Sequence, residues 1–436
     1  LREADLGWPE SPTEADVVRE FENLHLLLSD TPIDNLADII AMTDTRIISA
    51  ISVMTEVFPA AYAVDRRLME FLLLRMTNLS LQHGYCESSA VAYSALNMAL
   101  GVQFGDYKTA YAFGELARRL VDQSPSGRYK ARVYSLFAGF ATPWIRPLAE
   151  CAPLMAEAFR ISCSTGDMAF AAYNTRNRIT HEFMSGKPLQ HVQSEVENAV
   201  DFADKVQLGL PTERFFGQLR LVRKLRCAGT AASSDDDAWA LRETDPQPGV
   251  AMMISYHWVF RLVEHYLTED YVSAQLAASR VETIRWAMRS SIEEAEYVFY
   301  AGLTSAALAE QHASEKRQLH LDALCRHHDR MTAWAENCPV NFGCREALLG
   351  AERARLEGKD SLAQSLYETS IQRARSGGFL QVEAISAELA GRFYLSKELG
   401  VPSDAYVRAA REAYNRWGCV TKVRLLDFRY LHLNER

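Results

Sequence analysis

The chain has 436 residues, 48% apolar and 24% charged, with a net charge of −9. That charge disfavours a generic nucleic-acid or anionic-membrane binder, and 22 Gly with 14 Pro are too few for a disordered or collagen-like chain. The length exceeds one compact core and predicts two or three domains or a single elongated repeat array.

The eight cysteines, at 86, 151, 163, 227, 325, 338, 344 and 419, form no C-x-x-C pair. Scattered singly over helical faces, they predict a reducing, cytoplasmic setting and neither a disulfide framework nor a zinc site. No apolar run reaches 18 residues, so no membrane span is expected. The chain begins at Leu1 without a Met, as expected of a piece of something longer.

Residues 1–12, with Pro9 and Pro12, read as a linker leading to a helix cap near Ser11 or Thr13. From residue 13 to 230 nearly every window has helical periodicity. Residues 88–104, SSAVAYSALNMALGVQF, are apolar on more than one face, as in a helix held between neighbours. The stretch GDYKTAYAFGELA at 105–117 reads as a turn, a cap and a packing face. Gly105 and Asp106 make the turn, and Ala110, Phe113, Gly114 and Ala117 make the face.

THEFMSGKPL at 180–189 has part of a histidine-kinase phosphoacceptor box in His181-Glu182-Phe183. Met184 stands where a basic residue is wanted and Pro188 comes late. The plainer reading is a helix ending at Gly186 with Pro188 opening the next. Arg214, Arg220, Arg223, Lys224 and Arg226 form a basic run that pairs with the acidic stretch after it or docks another domain. That stretch, AASSDDDAWALRETDPQPG at 231–249, reads as a surface loop between two helical halves. The second half runs from 250 to 436.

In the second half, IEEAEYVFYAGLTSAALAEQH at 292–312 is another apolar helix, its Glu293, Glu294 and Glu296 in the opening turn where acids favour the helix dipole. His320, Cys325, His327, His328 and Asp329 are the best metal candidates. They lack the i, i+4 pairing of a helical zinc site, so a helix face is expected instead. Further turns are predicted at TGDM 165, TEDY 268, EGKD 357, SGGF 376 and LGVPSD 399. Each helix pair takes roughly 35–45 residues, the period range of helical solenoids. Leu349-Gly350 with Ala363, Tyr367 and Ser370, then Ala390-Gly391 and Phe393 with Ala405, Ala409 and Ala413, place small residues where paired helices approach. The fold class expected is therefore all-α, a tetratricopeptide-like superhelix of antiparallel helix pairs.

Several long segments carry a resemblance. They are MTNLSLQHGYCESSAVAYSALNMALGVQFGDYKTAYAFGELARRLVD, ARVYSLFAGFATPWIRPL, GDMAFAAYNTRN, WAENCPVNFGCREALLGAERARLEGKDSLAQSLYETSIQRAR and RWGCVTKVRLL, in that order. Together they resemble the tetratricopeptide-like helical region of very large bacterial signalling proteins. Those carry a Ser/Thr-kinase-like domain and a STAND-type AAA ATPase before this region, and a GAF domain and often a sensor histidine kinase after it. The resemblance implies a sensor or scaffold module between an ATPase and output domains.

The residues themselves offer little chemistry. SGKP at 185 and EGKD at 357 lack the rest of a Walker A loop, and no kinase catalytic loop or nucleophile elbow is present. No catalysis, cofactor or metal is expected of this chain. Function is expected on the concave face of the array. The candidates are Tyr93, Asn97, Asn174, Asn177, Arg178, Tyr256, Trp258 and Tyr297. The aromatics alternatively fill gaps between repeats, and the Asn and Arg side chains alternatively face solvent or bond between helices. The partner expected there is a protein or peptide, or neighbouring ATPase or kinase domains of the same polypeptide. A small-molecule sensor with an enclosed pocket, or a self-associating scaffold, stays open.

Overall fold

The computed structural model describes residues 8–9, 11–28, 33, 36, 40–206, 209–227 and 248–433; at 209–214, 248–250 and 314 it describes the backbone alone. Of the expected linker, Trp8 packs edge-on against Phe71. Thr13 then caps the first helix: its amide donates to the Asp16 carboxylate at 2.8 Å, and its hydroxyl accepts from the Asp16 amide at 3.3 Å.

Among the described residues the chain is all-α, with one isolated bridge between Ala41 and Tyr85 and no strand. The helices are α1 Glu14–Leu28, α2 Thr45–Val64, α3 Arg66–His83, α4 Ser89–Ala95, α5 Tyr107–Gln123, α6 Lys130–Leu136, α7 Cys151–Thr165, α8 Met168–Met184, α9 Leu189–Lys205 and α10 Gly209–Arg226. After the expected acidic loop, which falls largely outside the described residues, come α11 Pro248–Leu267, α12 Tyr271–Ile284, α13 Ile292–Gln311, α14 Ser314–Asn337, α15 Pro339–Leu356, α16 Asp360–Gly377, α17 Leu380–Ser396, α18 Gly400–Trp417 and α19 Val420–Arg429. One of them, α2, is long and apolar enough to cross a membrane; it turns Ile47, Ile51, Met54, Phe58 and Ala61 into the core.

The turn chemistry follows the sequence closely. Gly105 takes a left-handed φ of 74°, and Asp106 then caps α5 by accepting from the Thr109 amide at 3.2 Å. Ala110, Phe113 and Ala117 are fully buried, and a Cβ on Gly114 would lie 2.3 Å from the Phe137 ring, so α5 and its partner touch through that glycine. At LGVPSD the left-handed residue is Glu398, not Gly400, which opens α18. The buried face of α18 is Ser403, Val407, Ala410, Ala413 and Tyr414, while Ala405 is exposed.

Regularity is uneven. Helices α15 to α18 run 17 or 18 residues without interruption. Between residues 89 and 150 the helices break instead. The chain after α4 passes into a 3-10 turn, Leu96–Met98, and a π turn, Leu100–Phe104. After α6 it forms a π turn, Phe137–Ala141, and a 3-10 turn, Thr142–Trp144.

The second half lies back along the first. Asn341 donates to the Pro143 and Arg146 carbonyls at 2.7 and 2.8 Å and accepts from the Leu148 amide at 3.0 Å. Gln381 donates to the Met184 carbonyl at 2.7 Å, and Thr421 to the Lys224 carbonyl at 2.7 Å. Each donor sits in the first turn of α15, α17 or α19, and each acceptor lies at or beyond the carboxyl end of α6, α8 or α10. The partners are separated by 193 to 198 residues in sequence, so the halves run alongside each other rung by rung. Trp144 stacks with Phe342 and packs against Trp334, whose indole N–H donates to the Tyr107 hydroxyl at 3.0 Å. The larger apolar core accordingly joins Tyr107, Trp144 and Leu148 to residues from Ile179 through Tyr430, on both sides of the acidic stretch.

Candidate functional site

Where the two halves meet beside the broken helices, packing leaves a cavity of about 280 Å³. Helix α2 lends Phe58, Pro59, Tyr62 and Ala63 to its wall. The broken segments after α4 and around α6 lend Met98, Ser135, Leu136 and Phe140. Phe170, Tyr173, Arg176 and Asn177 come from one face of α8, since residues three and four apart on a helix are neighbours. Met252, Met253 and Tyr256 of α11 close it from the second half. A smaller chamber of about 10 Å³ adjoins, sharing Phe140, Asn177 and Tyr256 and adding Thr180, His181, Ser291, Ile292 and Glu293.

The polar end of this site is built around Arg176. Its guanidinium lies 3.8 Å from the centre of the Tyr256 ring, donates to the Asn177 side-chain oxygen at 2.9 Å and pairs with Glu293 across the seam. Both members of the pair are buried. A lone buried charge is costly, so each supports the other's presence. Burial, reinforced by neighbouring Tyr256 and Glu293, pushes the Tyr62 hydroxyl well above its ordinary pKa. Burial, with Arg176 nearby, pushes His181 down to about 3, so its imidazole is neutral at physiological pH. The His181 Nδ1 atom is buried and has no hydrogen-bond partner.

Of the eight residues expected to form a site, Asn177 and Tyr256 line this cavity. The other six lie outside the cavity lining. Tyr93 is fully buried against Phe113. Asn97 is buried and donates to the Phe140 carbonyl at 2.6 Å and the Ser290 hydroxyl at 2.8 Å, tying the halves together. Asn174 donates to its own helix at the Phe170 carbonyl, 2.8 Å away. Arg178 faces Glu182 and Glu195. The Tyr297 hydroxyl donates to Glu282 at 2.6 Å, and Trp258 is half-buried against the larger core. Of these six only Asn97 is held by the other half, through Ser290; Tyr93, Asn174, Arg178 and Tyr297 meet partners within their own half.

Other sequence features resolve likewise. His181 is buried near the end of α8, which stops at Met184, with Pro188 immediately before α9. Glu293, Glu294 and Glu296 are not merely dipole partners. Each is buried and paired with an arginine of a different helix: Arg176 of α8, Arg330 of α14 at 2.7 Å and Arg345 of α15 at 3.0 Å. The signal was present in α13, whose apolar residues leave no solvent face for three acids. His320, His327 and His328 diverge around α14 toward His312, Tyr297 and Glu346, and no three metal-ligating side chains converge among the described residues. In the basic run, Arg220 and Arg223 pair with Glu264 and Glu197 of neighbouring helices; the Arg214 side chain lies outside the described residues.

No protein-family model matches the chain. A stretch of 139 residues, 31% of the chain, is 28% identical to hybrid signal transduction histidine kinase G of Dictyostelium discoideum and spans 4% of that protein. That relative is not bacterial, so the match lends nothing to the bacterial side of the resemblance.

Proposed function

We propose that this chain is a non-catalytic, signal-sensing module of a larger cytoplasmic signalling protein, a tetratricopeptide-like array folded back on itself around a small-molecule site. The carrying observation is the cavity walled by both halves, with Tyr62 and Asn177 on one side and Tyr256 on the other. Cavities of this kind, mainly apolar with a few placed polar groups, are the usual form of a small-molecule site. The partial likeness to a signal transduction histidine kinase supports the signalling context.

In this reading a bound ligand favours one spacing of the two halves, because it touches both. The neighbouring ATPase or kinase domains then respond to the shifted population. Occupancy bears on the Arg176–Glu293 pair, which joins α8 to α13 at the polar end of the site.

The test is a fragment screen by saturation-transfer NMR, run on the unaltered chain and on Ala63→Phe, whose added ring enters the cavity. Aromatic hits are expected for the first and lost in the second. An empty screen, or hits that survive Ala63→Phe at unchanged melting temperature, would reject the cavity as the sensing site.

A further inference from the structure

Resting on that reading, the chemistry of the walls narrows the ligand. An engineered apolar cavity of ~150 Å³ takes up benzene. The present one, at about 280 Å³, has room for two fused rings. Phe58, Phe140, Phe170 and Tyr256 supply aromatic faces for a flat body, and Met252 and Met253 adapt around its edge.

The polar end decides the functional group. Arg176 would attract an anion if it stood alone, but Glu293 already neutralises it. A ligand carboxylate would have to displace Glu293 or sit beside it, and like charges in a buried site repel strongly. An ammonium would meet Arg176. Two neutral groups are left unsatisfied, the Tyr62 hydroxyl on the main wall and the buried Nδ1 of His181; the second stands beside a chamber of about 10 Å³, close to the space one oxygen atom needs. A neutral imidazole presents either a donor or an acceptor at Nδ1, depending on its tautomer. A hydroxyl complements both; a carbonyl or ether complements one.

We infer that the cavity recognises a neutral, flat, two-ring molecule bearing a hydroxyl group. The ring body lies among Phe58, Phe140, Phe170 and Tyr256, and the hydroxyl enters the chamber against His181 and Asn177. Affinity comes from the rings, and selection comes from the orphaned nitrogen.

Three probes that share one skeleton test this by titration calorimetry: 2-naphthol, naphthalene and 2-naphthoate. One satisfied buried hydrogen bond predicts 2-naphthol binding about tenfold tighter than naphthalene, with 2-naphthoate weakest. His181→Leu should bring 2-naphthol to within about threefold of naphthalene while leaving naphthalene itself nearly unchanged. Equal binding of naphthol and naphthalene to the unaltered chain overturns the hydroxyl assignment and leaves the cavity reading intact. Tightest binding by the naphthoate overturns the neutral-ligand assignment. If none of the three binds while single-ring fragments bind and are expelled by Ala63→Phe, the two-ring assignment falls and the sensing site stands. Should His181→Leu not fold, the ranking of the three probes on the unaltered chain decides.

Discussion

The stretch from 339 to 417 and the stretch from 89 to 150 are built from the same kind of helix pair and reach different ends. In the first, helices of 17 or 18 residues alternate with short turns, and the core between them is filled by Phe342, Tyr367, Phe393 and Trp417. In the second, two helices of seven residues give way to 3-10 and π turns, and the backbone there frames the cavity with Met98, Leu136 and Phe140. A π turn inserts an extra residue per turn and re-aims the side chains that follow, a distortion commonly found at functional sites. Repetition fills space in one region, and its interruption opens space in the other.

The sharpest way to break that comparison is to remove the same side chain from each region. Phe342→Ala should destabilise the fold by about 4 kcal/mol, since its ring is buried against Trp144 and Trp334. Phe140→Ala, on a wall that already faces empty space, should cost only about 2 kcal/mol. Equal losses in chemical denaturation would mean that the cavity wall is packed like the core.

The rungs between the halves come next. Asn341→Ala leaves two carbonyls and one amide without their side-chain partner, and about 3 kcal/mol of destabilisation is expected. An Asn341→Ala melting curve superimposable on that of the unaltered chain would show that the halves do not depend on this joint.

Acid should act through the imidazole beside the cavity. His181 has its pKa lowered to about 3 from an ordinary 6.5, so the unfolded chain binds more protons than the folded one between those values. Stability is full above pH 6.5 and falls as pH drops toward 3. Between pH 7 and 5 this one group should remove about 2 kcal/mol. His181→Gln should lose about that much less over the same interval in urea titrations, and an identical pH profile for the two chains would contradict the burial of this ring.

The smallest contrast is a pair of glycines. A Cβ on Gly391 would lie 2.9 Å from Val407 and 3.4 Å from the Ser403 carbonyl oxygen, so Gly391→Ala should cost about 1 kcal/mol. On Gly139 it would meet only the Asn177 side chain at 3.4 Å and Met155 at 3.8 Å. Gly139→Ala should therefore be neutral or stabilising by up to about 1 kcal/mol. A reversed order would place the tight packing in the broken region.

Much of this was legible locally. Gly105-Asp106, the buried Ala110, Phe113 and Ala117 and the small-residue contacts of 346–375 follow from caps and from steric size, which short windows carry. On α18 the expected Ala413 is buried and Ala409 packs against the core, but Ala405 is exposed, and the turn before the helix uses Glu398, a residue that rarely adopts a left-handed φ, in place of Gly400. The cavity was legible only in fragments. Asn177 and Tyr256 stood out as polar and aromatic residues on helices, but Tyr256 and Glu293 of the second half meet Tyr62 and Asn177 of the first only because the halves pair. No periodicity reports such a pairing, and none marks where a helix will slip into a π turn.

The rungs have an electrical consequence. At two of the joints the carboxyl end of one helix faces the amino end of another: α8 toward α17 through Met184 and Gln381, and α10 toward α19 through Lys224 and Thr421. A helix carries roughly half a negative charge at its last turn and half a positive charge at its first. Apposed in this order, the two cancel locally, and each pair behaves as one longer dipole. The joints therefore hold by partial charges that need no mobile counter-ions, and the spacing of the halves should respond weakly to ionic strength. An array joined mainly by exposed ion pairs would drift with every change in salt. Joints of this kind predict a spacing of the halves that holds through such changes.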